Sequence, residues 1–236
     1  MGEDGALTRA IESGSMGSLL LWGPPGTGKT TIARLLADRV DMHFEQVSAI
    51  FSGVADLKKL FDAARLRRTN GRQTLLFVDE IHRFNRSQQD SFLPVLEDGT
   101  IVLVGATTEN PSFELNAALL SRARVLTLKR HSNHSLEALL QRAEKQVGEP
   151  LMLSPQAKQI IISMADGDGR ALLSYVEEVL RLEPSIPLDP DELLLFLQRR
   201  APIYDKSQDG HYNMISAMHK SVRGSAPDAA LYPIGR

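Results

Sequence analysis

Up to about Thr127, short apolar runs alternate with segments whose apolar residues recur at three-and-four spacing. The runs are Leu19 to Trp22, Phe44 to Val47, Leu75 to Val78, Val102 to Val104 and Val125 to Leu128. Between them, Lys29 to Val40 and Val54 to Arg68 carry the helical period, with Leu57, Leu60, Phe61 and Ala64 on one face. Such alternation predicts an α/β fold, a parallel sheet with helices on both faces. Thr74-Leu75-Leu76-Phe77-Val78 is apolar without alternation, as a central strand covered on both sides requires, so it is predicted buried.

After His131 the strand signal stops and a small all-helical domain is predicted. Ser154-Pro155 reads as an N-cap with proline at the first helical position, ahead of an apolar face of Ile160, Ile161 and Met164. Asp189-Pro190 repeats the device before Leu193 to Leu197, and Asp168 is placed to cap a helix running to Leu182. The change of pattern at Lys129 to Asn133 marks a hinge. The expected division is residues 1–130, 131–201, and a polar, Gly-rich segment 202–236 with one amphipathic piece, Tyr212 to Val222.

Composition narrows the chemistry. The chain has 236 residues, 42% hydrophobic and 24% charged, enough to bury a core. It lacks cysteine, which excludes disulfides, thiolate metal sites and cysteine nucleophiles. No run approaches the roughly 20 apolar residues of a membrane span, and the start is not basic, so a cytoplasmic protein is expected. With 27 basic against 29 acidic residues, any nucleic-acid contact needs a local patch or an oligomer. The local candidates are Lys58, Lys59, Arg65, Arg67, Arg68 and Arg72, though a basic helix is usually just a solvated face.

The segment GPPGTGKT, Gly23 to Thr30, fills the pattern G-x-x-x-x-G-K-[ST] between a strand and a helix. Such a loop turns successive backbone N–H groups of Pro24-Pro25-Gly26-Thr27-Gly28 and the following helix, through Thr31, around one anion, except where proline has none to give. Lys29 would reach the outer phosphates and the Thr30 hydroxyl would ligate magnesium.

Asp79 and Glu80 stand at the end of the central apolar run. Period two sends their side chains to different sides and lets them do different work. Asp79 would orient magnesium, and Glu80 would take a proton from a water lined up on the γ-phosphate. The plain alternative is an acidic strand end in solvent. At the end of the next strand Thr108, with Asn110 as second choice, could hydrogen-bond that water or the phosphate. Of the two arginines after Leu119-Leu120-Ser121, Arg122 is the first choice to reach a neighbouring subunit's nucleotide, and Arg124 could equally be a surface cation near a helix end. Arg170, in Gly167-Asp168-Gly169-Arg170, could report the γ-phosphate to the second domain.

GPPGTGKT, LLFVDE, VGATTENP, LLSRAR and GDGR, in this order and spacing, resemble the P-loop AAA+ ATPases of the clamp-loader and Holliday-junction-helicase group. Phe77 to Val125, and SAMHKSVRGSAPDAALY at Ser216 to Tyr232, are similar more narrowly to the replication-associated recombination protein A family (RarA, also MgsA), related to the Werner-helicase-interacting ATPase. The resemblance implies a DNA-dependent ATPase of replication-fork maintenance and recombination, homotetrameric, nucleoid-associated and linked to single-stranded-DNA-binding protein, with ATP and Mg2+ as cofactors. It implies an α/β nucleotide-binding domain followed by a helical lid. It assigns Lys29 and Thr30 to the first nucleotide motif, Asp79 and Glu80 to the second, Thr108 to sensor one, Arg122 to the trans arginine and Arg170 to sensor two. His82-Arg83-Phe84-Asn85 matches a signature whose histidine could tune the neighbouring base or only pack. The short lead before Gly23 and the end after Tyr232 read as truncation at both ends, leaving a catalytically weak nucleotide-binding fragment as the alternative. A third reading, a small-metabolite kinase, leaves the Asp79-Glu80 pair, Thr108 and Arg170 without work.

Overall fold

The computed structural model describes residues 16–182, 184 and 186–200. Expectations on residues 1–15 and on 201–236, including the amphipathic piece and the family-like segment near the end, lie outside them. Among the described residues five strands, β1 (Ser18–Trp22), β2 (His43–Ser48), β3 (Thr74–Asp79), β4 (Ile101–Thr107) and β5 (Ala123–Thr127), form one sheet. Its order is β2-β3-β4-β1-β5 and every pairing is parallel.

β3 is an interior strand, between β2 and β4, and Thr74 to Val78 are fully buried, as its unbroken apolar run predicts. Its side chains divide by alternation. Leu75 and Phe77 join Leu19, Leu21, Val104 and residues of α1 (Lys29–Arg39) in one core. Leu76 and Val78 join Leu20, Leu103 and the Leu57, Phe61 and Ala64 face of α2 (Val54–Thr69) in the other. The face predicted for α2 is the one buried. Phe92 is the hub of this second core, with its ring 5.4 Å from Phe61 and 5.7 Å from Phe84.

Four short helices connect the strand ends: α3 (Arg86–Asp90), α4 (Leu93–Glu97), α5 (Pro111–Glu114) and α6 (Ala117–Leu120). Each is too short to stand on propensity. Side-chain caps hold three of them: Asn85 accepts from Gln88 N–H, Asn110 from Ser112 N–H and Asn116 from Leu119 N–H. Asn110, the second-choice phosphate sensor, therefore spends its carboxamide oxygen on a cap.

Four longer helices follow: α7 (Asn133–Val147), α8 (Pro155–Ala165), α9 (Gly169–Leu182) and α10 (Pro190–Arg200). The described residues fall into two compact units, 16–151 with 161–182, and 152–160 with 184 and 186–200. The first holds the sheet, α7 and α9. Ser132 caps α7, and the Asp168 carboxylate accepts the N–H groups of Arg170 and Ala171 to cap α9. In the second unit Ser154 accepts from Ala157 N–H at 3.2 Å, Leu153 bridges to Leu188, and Asp189 and Glu192 form a reciprocal capping box. Caps predicted at Ser154, Asp168 and Asp189 are all present. The apolar face of α8 differs from the expected one: Ala157, Ile161, Ile162 and Ala165 are buried, while Met164 is exposed. Met164 lies three residues beyond Ile161, on the edge of the stripe that Ala157, Ile161 and Ala165 continue at spacing four.

A nucleotide-shaped cleft

At the carboxyl end of the sheet, β1 runs through Gly23 to Gly28 into α1. Gly26 and Gly28 have φ of +66° and +83°, backbone that side-chain-bearing residues rarely adopt, and Gly28 has open space where a Cβ would stand. Lys29 is 8% exposed, and its ammonium donates to the carbonyls of Gly23 at 2.7 Å and Pro24 at 2.8 Å. Thr27 donates its hydroxyl to the same Pro24 carbonyl at 2.9 Å. Burial pushes the Lys29 ammonium below its ordinary value of 10.5, Glu80 and Asp79 pull it back up, Arg170 opposes them and Asp168 assists.

This loop floors a cleft of about 780 Å³, a size typical of cofactor sites. Residues 25–32 line it, together with Asp79 and Glu80 from the tip of β3, Thr108 from beyond β4, and Arg170 from the first turn of α9. The sequence motifs scattered over Pro25 to Arg170 thus meet at one place. Gly23 and Pro24 are not on the wall; their carbonyls hold Lys29. Arg122 does not line the cleft either, being an exposed side chain ion-paired with Glu97. Arg124 lies in β5, exposed.

Asp79 and Glu80 do not part to different sides as strand alternation predicts. Both line the cleft, because β3 ends at Asp79 and Glu80 turns into a left-handed conformation, φ 54° and ψ 44°. A non-glycine residue held there costs about 1–3 kcal/mol and persists only where its surroundings fix it. Here a 3-10 turn over Ile81–Arg83 follows directly, closed by Arg83 N–H donating to the Glu80 carbonyl at 2.8 Å.

The far wall was not legible from the motifs. It is the face of α7, with His134, Ser135, Ala138, Leu139 and Arg142, joined by His131, Gly169 and Leu173. Its sequence signal was available: Ser132 as a cap ahead of Leu136, Leu139 and Leu140 at helical spacing. The loop and α9 also touch directly. Gly169 N–H donates to the Gly26 carbonyl at 3.1 Å, and a Cβ on Gly26 would stand 1.7 Å from an Asp168 carboxylate oxygen.

These residues suit a magnesium nucleotide. The loop offers backbone N–H groups, a helix N-terminus and a lysine to an anion. Thr30 and Asp79 offer hard oxygens, the donors magnesium prefers. Among the described residues there is no cluster of three or more His, Asp or Glu side chains able to cage a metal, so a cation here would share oxygens with the phosphates.

Known proteins similar to this chain identify its family and share its fold. Residues 19–131 match the family model "ATPase family associated with various cellular activities (AAA)", and residues 147–223 match "AAA C-terminal domain". The replication-associated recombination protein A of Escherichia coli K12 is 48% identical over 96% of this chain and 53% of its own length. Its Haemophilus influenzae counterpart is 46% identical over 98% and 54%. The ATPase WRNIP1 of Dictyostelium discoideum is 38% identical over 97% of this chain and 29% of its own. A Thermotoga maritima RuvB Holliday junction branch migration motor has the same fold, with a TM-score of 0.65 at 24% identity over 82% of this chain and 65% of that one. The chain spans about half the length of the bacterial recombination proteins it matches. It belongs to the replication-associated recombination protein A family of AAA+ ATPases.

Proposed function

We propose that this chain binds ATP with Mg2+ in the cleft and hydrolyses it in a DNA-dependent manner, in replication-associated recombination. The observation that carries the reading is the convergence of the glycine loop, Lys29, Asp79, Glu80, Thr108 and Arg170 on one cleft. Lys29 and the loop N–H groups bind the phosphates; Thr30 and Asp79 hold the metal, which neutralises phosphate charge when bound. Glu80 accepts the proton of the attacking water, and Thr108 orients that water or the γ-phosphate. Ala138, Leu139 and Leu173 offer an apolar surface for the base. Arg170, one residue from the Gly169 contact with the loop, senses the γ-phosphate, with residues 131–201 acting as the helical lid.

Arg122, away from its own cleft, suits a catalytic role in a neighbouring subunit, which supports an oligomer, a tetramer in the family reading. For DNA, three of the six basic candidates are committed: Arg65 pairs with Asp62, Arg67 with Glu45, and Arg68 faces Asp98. Lys58, Lys59 and Arg72 are exposed and remain the better candidates for phosphate contact. Association with single-stranded-DNA-binding protein and with the nucleoid follows from the family reading alone.

Steady-state ATP turnover with and without single-stranded DNA tests the proposal. We expect turnover that DNA stimulates, lost in Glu80→Gln while binding of a non-hydrolysable analogue is retained. Analogue binding without turnover at saturating nucleotide would favour the nucleotide-binding fragment, and turnover only with a phosphate acceptor would favour a kinase.

A further inference from the structure

We propose that His82, braced from behind by the Thr107 hydroxyl, is a positioning residue that presents an Nε2–H to the Glu80 carboxylate. This rests on the hydrolytic reading for its consequence, and on the geometry at the tips of β3 and β4 for its substance.

Glu80 has left the sheet in a left-handed conformation, so no strand neighbour orients its side chain. The tight turn that follows returns His82 beside it. The His82 side chain is 6% exposed, and each ring nitrogen has a neighbour: Nδ1 is hydrogen-bonded to Oγ1 of Thr107 at 2.9 Å, and Nε2 lies 3.4 Å from Oε2 of Glu80, within ion-pair range. Thr107 is fully buried, and its backbone is fixed at the end of β4, where its carbonyl accepts the N–H of Gly23 at 3.1 Å.

A count of protons decides which nitrogen is protonated. Thr107 Oγ1 accepts the N–H of Glu109 at 3.0 Å, and its one proton can go to His82 Nδ1 or to the Glu109 carbonyl, 3.3 Å away. In a neutral ring protonated at Nδ1, the Nε2 lone pair would face a carboxylate and repel it. In a ring protonated at Nε2, Nδ1 accepts the threonine hydroxyl and Nε2–H faces Glu80. In a doubly protonated ring the threonine turns its proton to the Glu109 carbonyl, and Nε2–H again faces Glu80. Both favourable states place the same donor against Oε2 and leave Oε1 for the water.

Two other residues of the signature have other work. Phe84 packs in the core against Phe92, and Asn85 caps α3. The device also explains two adjacent threonines: Thr107 faces the histidine while Thr108 lines the cleft. It ties the tip that carries the base to the tip that carries the sensor.

The test uses the intact chain labelled with 15N-histidine, His82 being assigned by its loss in His82→Gln. We expect a protonated Nε2 whose resonance moves in Glu80→Gln, and an Nδ1 resonance that moves in Thr107→Val. An unprotonated Nε2, or resonances indifferent to both substitutions, would overturn the proposal whether or not the chain turns over ATP. In turnover assays Thr107→Val and His82→Phe are expected to lower kcat about ten- to a hundredfold, as small misplacements of catalytic groups do, with Kd for a non-hydrolysable ATP analogue unchanged. Thr107→Ser should restore the rate. Wild-type kcat in both variants, or losses that track Kd, would refute the positioning role. Failure of the hydrolytic reading shows separately, as wild-type turnover in Glu80→Gln.

Discussion

Lys29 illustrates how a single side chain is prepared for an anion. Its ammonium is drawn into the loop by two carbonyls, and burial lowers its proton affinity although Glu80 and Asp79 act the other way. A bound triphosphate favours the charged form, so binding takes up a proton wherever the free site has lost it. Affinity is therefore full below the depressed pKa of the free site and falls as pH rises through it, before the ordinary lysine value of 10.5 is reached. Calorimetric titration with an ATP analogue should show this fall, and Lys29→Arg should flatten it because arginine does not titrate there. Lys29→Ala should cost about ten- to a hundredfold in affinity, the worth of a hydrogen bond to a charged group. At this scale the placement of residues was legible wherever motif spacing dictates it, as at Lys29, Thr30 and Asp79, which line the cleft together. It misplaced the Glu80 side chain because a left-handed residue breaks strand alternation without any glycine to announce it. His82 and Thr107, separated by 25 positions, could be paired only once β3 and β4 lay side by side.

At the scale of elements, the junction between the phosphate loop and α9 makes the sharpest prediction. A methyl group on Gly26 would collide with the carboxylate that caps α9, and φ of +66° would strain it besides. Gly26→Ala should therefore lower stability by about 1–3 kcal/mol and weaken nucleotide binding in parallel. Asp168→Ala removes the obstacle at the cost of a cap, about 1 kcal/mol. Denaturant unfolding of both single variants and the double should reveal coupling, with Gly26→Ala costing less when Asp168 is already absent. Additive costs would mean that only the backbone strain matters. In the core beneath, Phe92→Ala should cost about 3–5 kcal/mol, because its fully buried ring touches two other aromatic rings. The five strands, α1 and α2, and the helices begun by Ser154, Asp168 and Asp189 could be read from hydrophobic period and capping residues; α7 went unread although Ser132 caps it. The four short helices could not: Asn85, Asn110 and Asn116 fix three of them by local hydrogen bonds rather than by any periodic face, and α4, which lacks a side-chain cap, is a single short turn.

For the whole molecule, the order β2-β3-β4-β1-β5 is what turns separate motifs into a site, and no local pattern dictates it. It inserts β4 between β1 and β3, so that the tips carrying the loop, Thr108 and the acidic pair become neighbours. Arg122 is left out of this gathering. It follows α6 at the foot of β5, exposed and tied to Glu97 at the end of α4. Its guanidinium also donates to the Ala118 carbonyl at 2.9 Å and the Ser121 hydroxyl at 3.2 Å; an exposed ion pair of this kind contributes about 0–1 kcal/mol, too little to hold the arginine from a stronger anion. If its partner is a neighbour's nucleotide, turnover per chain must rise with protein concentration, and Arg122→Ala must abolish the rise while leaving analogue affinity in the dilute chain unchanged. Mixing decides the matter. Chains carrying Arg122→Ala retain Glu80, and chains carrying Glu80→Gln retain Arg122, so each supplies what the other lacks at one kind of interface. The mixture should recover activity that neither variant has alone, and a mixture as inactive as its components would remove Arg122 from the catalytic machinery.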